Sequence, residues 1–85
     1  MDIYREMFRL FQEQVELVKE IGSLRAQQVH HDMFAELAMH KRDQHQSFWD
    51  EKPYLEIKRK LDSELIEKYE LLEKNKKQIS QLLLP

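Results

Sequence analysis

Apolar residues in the first half of the chain return every three or four positions. Ile3, Met7, Leu10, Leu17, Ile21 and Leu24 form one line, and Tyr4, Phe8, Phe11, Val15 and Val18 form a second beside it. That is the period of an α-helix with one wide apolar face, and it predicts helix from about residue 2 to about residue 47. A face wider than a simple two-stranded seam implies contact with more than one neighbouring helix, as in a bundle. The pattern continues through Val29, Met33, Phe34, Leu37 and Ala38. Gly22 is its weak point. Inside a helix Gly costs about 1 kcal/mol against Ala, and as a C-terminal cap it would divide this half in two and give a three-helix bundle. Because Val18, Ile21, Leu24 and Arg25 keep phase across Gly22, a continuous helix is the expectation and the three-helix bundle the alternative.

The periodicity breaks at Ser47-Phe48-Trp49-Asp50-Glu51-Lys52-Pro53, which places a turn at about 48–53. Pro53 disfavours helical geometry at Lys52 and fits best in the first turn of a new helix, for which Asp50 is a plausible N-cap. A second helix is therefore expected over about 53–83. Its apolar stripe, Ile57, Leu61, Leu65, Tyr69, Leu72, Ile79 and Leu83, begins with steps of four, closer to an eleven-residue than a seven-residue repeat. Glu56 and Lys60, Glu64 and Lys68, Glu70 and Lys74, and Glu73 and Lys77 place an acid four residues before a base, the spacing of a solvated outer helix face. The predicted fold is all-α: one domain over residues 1–85, a long helical hairpin that assembles into a helical bundle.

At about 1.5 Å per residue the first helix would be roughly 65–70 Å long and the second roughly 45 Å, so a hairpin would leave about 20 Å of the first unmatched. That overhang would carry Ile3, Tyr4, Met7, Phe8, Leu10 and Phe11, and an exposed stripe of this size is normally covered, either by folding back at Gly22 or by another chain. Leu83, in the apolar end Leu82-Leu83-Leu84-Pro85, asks for cover as well. Together with Trp49 and Tyr69 these are the candidate interaction residues. Trp49 reads either as the cap on the open end of a bundle or as an anchor for another protein.

Composition narrows the function classes. The chain has 85 residues, 41% hydrophobic and 35% charged, with one Gly and two Pro, which suits long charged helices. A domain this small builds only a marginal core alone, so homo- or hetero-oligomerisation with another helical chain is expected. Fourteen basic and sixteen acidic residues are mixed along the chain for a net charge of −2, so no basic stripe tracks a nucleic-acid backbone. There is no cysteine, which removes disulfides, thiolate metal sites and cysteine nucleophiles together. No stretch reads as a membrane span or signal peptide. A cytoplasmic location, or export by a signal-peptide-independent route, is the expectation.

Possible chemistry concentrates around the histidines His30, His31, His40 and His45. On a helix Asp32, Glu36, His40 and Asp43 share one face, but neither the Glu-x-x-His of di-iron bundles nor the His-Glu-x-x-His of zinc proteases is present, and no metal or other cofactor is expected. Arg25 and His30 stand at the Arg-x-x-x-x-His spacing that resembles the catalytic motif of HEPN ribonucleases, which implies a metal-free RNase as one alternative. The chain is short for that fold and lacks a basic surface. It also lacks a Gly-rich phosphate loop and any nucleophile arrangement, so a non-enzymatic protein is expected.

The turn carries a further resemblance. Trp49 is followed by Ile57, Leu61 and Leu65 at eight, twelve and sixteen positions, and it joins two helices of a short chain. This is similar to the WXG helical hairpins of type VII secretion and to the small helical proteins that accompany LXG toxins, with Glu51 where the Trp-x-Gly turn has Gly. Nearly the whole chain can be laid on that plan. The resemblance implies an accessory, chaperone or export partner that masks an apolar helix of its cargo, and it implies that Tyr69-Glu70-Leu71-Leu72-Glu73 stands where a Tyr-x-x-x-Asp/Glu export element would. The residues alone read Tyr69 as a core tyrosine. The rival function is a small regulatory or scaffolding dimer that binds and inhibits a target protein.

Overall fold

The computed structural model describes residues 2–43 and 51–84, and the side chains of residues 2–40 and 52–84. Two helices make up these residues: α1 (Ile3–Asp43) and α2 (Glu51–Leu83), packed side by side as a hairpin. The molecule is a rod, 66 Å long and 15 Å across in its Cα trace. The expected all-α hairpin is what forms, and α1 runs unbroken through Gly22, as the phase of its neighbours implied. Pro53 lies in the first turn of α2, where its missing N–H has no helical partner to lose. Trp49, Phe48 and the proposed cap Asp50 lie outside the described residues.

Asp2 starts α1. Its Oδ1 accepts the N–H groups of Tyr4 at 3.0 Å and Arg5 at 3.3 Å, two of the four donors that a helix start leaves without partners. Glu6 and Arg9 form an ion pair one turn later, and the hydrogen bond from Arg9 holds the Glu6 carboxyl below the usual carboxylate range.

Burial follows a strict seven-residue spacing on both helices. On α1 it runs through Leu10, Gln14, Leu17, Ile21, Leu24, Gln28, His31, Ala35 and Ala38, with steps alternating between four and three. On α2 it runs through Leu61, Leu65, Lys68, Leu72, Asn75, Ile79 and Leu82 in the same alternation. The eleven-residue reading of α2 is thereby overturned. It took Tyr69 and Leu83 as core positions, whereas the positions that face α1 are Lys68 and Leu82, with Asn75 filling the gap. Likewise, the described seam of α1 beyond Leu24 passes through Gln28, His31 and Ala35, and Val29, Met33, Phe34 and Leu37 are exposed. Leu17, Ile21, Leu24, Leu61, Leu65 and Leu72 form the central cluster. Each such side chain withdrawn from water contributes about 1.5–3 kcal/mol, but the core is only one seam thick.

Polar contacts across the seam set its register. Asn75 is 0% exposed, and its amide donates to the Leu10 carbonyl at 2.9 Å and to Glu13 at 3.4 Å while accepting from Gln14 at 3.3 Å. Further along, Lys68 reaches Glu20 at 2.7 Å, and this hydrogen bond raises the Lys68 pKa. Gln28 donates to Asp62 at 2.6 Å. His31 stacks on Tyr54 with ring centroids 4.7 Å apart, and its Nε2 donates to the Tyr54 carbonyl at 3.2 Å. As the α1 number rises the α2 number falls, so the helices are antiparallel and Leu10 lies level with Asn75.

This register overturns the expected overhang. With Leu10 level with Asn75, the last residues of α2 reach the beginning of α1, and Leu10, at 2% exposed, belongs to the hairpin's own core. The extra length of α1, 41 residues against 33, falls at the turn end instead. Two of the anticipated acid–base partners also differ: Lys68 crosses to Glu20, and Glu73 takes Lys76 at 3.3 Å.

Candidate functional site

What the N-terminal half of α1 leaves uncovered is a face rather than an end. Phe11, Val15, Val18, Gly22, Arg25 and Val29 each follow a seam position by one residue, and therefore lie about 100° further round the helix; Tyr4 and Phe8 carry the same line back toward the start of α1. The second apolar line of the sequence is this face. Phe8, Phe11, Val15, Val18 and Val29 keep between 45% and 64% of their surface exposed, and Tyr4 keeps 86%. Phe8, Phe11 and Val15 line an open groove with Gln12 and Glu16. At Gly22 a Cβ would meet nothing within 4 Å, so nothing in the hairpin itself explains a glycine in the middle of α1.

The face extends onto α2. Arg25 lies over the ring of Tyr69, 5.8 Å from its centroid, which puts the α1 line and the outer edge of α2 on one side of the rod. Ile66, three residues before Tyr69, is exposed on that edge. Tyr69 itself is 39% exposed, neither the core residue that its phase suggested nor wholly solvent-facing. Among the other candidate interaction residues Met7 is half-buried, Ile3 and Leu83 are exposed near the common end of the two helices, and Trp49 lies outside the described residues. Val15, Val18 and Ile66 belong to the surface although the candidate set omitted them. Their signal in the sequence is an apolar residue placed one step after each seam position.

The candidate chemical groups do not converge. Arg25 and His30 are five residues apart on one continuous helix, roughly 140° round its axis, and Arg25 is turned to Tyr69. Asp32 accepts the Tyr54 hydroxyl at 3.0 Å, and this hydrogen bond pushes the Tyr54 pKa up. Among the described residues no group of three or more His, Asp or Glu could hold a metal, and no helix is long and apolar enough to cross a membrane. The Asp43 side chain and His45 lie outside the described residues. Comparison with protein-family models, with curated proteins and with solved structures found no match.

Proposed function

We propose that this chain is a non-enzymatic helical interaction module that presents the outer face of α1 to another helical chain. The observation that carries the reading is the continuous exposed line from Tyr4 to Val18, a length of apolar helix for which the hairpin has no use of its own. Contiguous apolar surface beyond a few hundred Å² on a small protein marks a contact site. The polar seam points the same way, because a hairpin that had to stand alone would gain more by turning these aromatic and branched residues inward.

The test is a tagged full-length chain recovered from its own host beside a Phe8→Gln, Phe11→Gln, Val15→Gln variant. The wild type is expected to retain a stoichiometric helical partner, untagged copies of itself included, and the variant to lose that partner while keeping its helical circular dichroism. Equal recovery by both overturns the reading. A narrower form, an accessory or export partner in a type VII-like system, is favoured by the accessibility of Tyr69 four residues before Glu73. In that form Tyr69→Ala abolishes appearance of the chain in the culture medium, and unchanged export refutes it.

A further inference from the structure

We infer that the outer face of α1 pairs with the same face of a second copy, antiparallel, about a two-fold axis beside Val18. This rests on the reading that the face is an association surface, and it names the occupant. Area and shape support the choice independently.

Counting about 150–250 Å² for a fully exposed aromatic residue and somewhat less for Val, the exposed fractions along this line leave roughly 650 Å² per copy before Ile66 and Tyr69 are added. A stable dimer takes about 800 Å² from each partner. With Val18 opposite itself, an antiparallel pair sets Val15 against Gly22 of the second copy, Phe11 against its Arg25, and Phe8 against its Val29. Val15 then meets the open space over Gly22, Phe8 meets the smaller Val29, the guanidinium of Arg25 gains a second ring, and Gly22 has a purpose. The helices approach closely where Val15 needs room, and nothing within 4 Å obstructs that approach.

Because the chain contains no cysteine, single cysteines report the geometry directly. Light scattering at micromolar concentration should give twice the chain mass of 10.5 kDa. Under mild oxidation Val18→Cys should form a covalent dimer, while Val29→Cys alone should not, its two copies lying roughly 30 Å apart along the axis. A mixture of Phe8→Cys and Val29→Cys should cross-link. Val18→Glu should abolish the dimer at micromolar concentration, because it sets a carboxylate against its own copy in the apolar contact at the axis. A monomer at micromolar concentration overturns self-pairing, yet face-dependent recovery of a different protein would leave the interaction-module reading standing. Efficient Val29→Cys dimers, or no cross-link between Phe8→Cys and Val29→Cys, overturn the antiparallel axis.

Discussion

Asn75 is the residue whose replacement best tests how the hairpin is held. Asn75→Ala removes three hydrogen bonds, at 2.9, 3.3 and 3.4 Å, from a fully buried position. At a net of about 0.5–1.5 kcal/mol each, with a small cavity where the amide stood, the loss comes to about 2–4 kcal/mol. In a chain of this size 1 kcal/mol moves the melting temperature by about 4–8 °C, so the Ala variant should melt at least about 8 °C lower. Asn75→Leu forfeits the same bonds but buries a Leu side chain, worth about 1.5–3 kcal/mol. It strands no partner: the Leu10 carbonyl lies within continuous helix, Gln14 is half-buried and Glu13 is exposed. The Leu variant should therefore melt close to the wild type, and its cost should show as lost uniqueness of pairing, since a buried amide in an apolar seam specifies register more than it stabilises. Thermal and urea unfolding followed by circular dichroism, with light scattering alongside, reads both effects. A Leu variant as unstable as the Ala variant would refute the reasoning, because the amide bonds would then be worth more than the burial of an equal volume of hydrocarbon.

Two further outcomes follow from the same geometry. Gly22→Ala should stabilise the dilute single chain by about 1 kcal/mol in urea unfolding, as the new methyl meets open space inside a helix, and should weaken dimerisation by sedimentation, where Val15 of the second copy needs that room. The Tyr54 phenol should titrate above the ordinary tyrosine value of about 10 in ultraviolet difference spectra, and Asp32→Asn should bring it back down. Since the folded pKa is raised, this contact's contribution is complete below the unfolded value and is lost as pH climbs through the folded one.

The helices, their number and the continuity of α1 were legible in the sequence because a period of three to four persists over dozens of residues and tertiary contacts have little to add to it. The register was not. A reading confined to apolar letters passes over Gln14, Gln28, Lys68 and Asn75, and so it runs the α2 stripe through Tyr69 and Leu83 and does not pair Leu10 with Asn75. Lys68 qualifies as a seam residue through its hydrocarbon stem, which packs while its ammonium reaches Glu20, a use of a charged residue that hydropathy alone hides. Carrying the heptad phase from Leu17 and Ile21 along α1, and from Leu61 and Leu65 along α2, reaches all these positions without regard to their polarity.

The misplaced overhang and the candidate surface share one cause. Both arise from an N-terminal half with twice the apolar face that a single neighbour can cover, and the structure decides how the two lines are divided. The line with Leu10, Leu17, Ile21 and Leu24 goes inward, accepting Gln14 and Asn75 among its partners. The line with Phe8, Phe11, Val15 and Val18 goes outward. Burying an amide while exposing two phenylalanines is unfavourable for a solitary hairpin, because transfer of apolar surface from water is the main driving force for folding. The arrangement becomes favourable once the outer line is also buried. The amide then fixes which helix lies in the inner seam, and the apolar line remains available, in a defined register, for the next helix to cover.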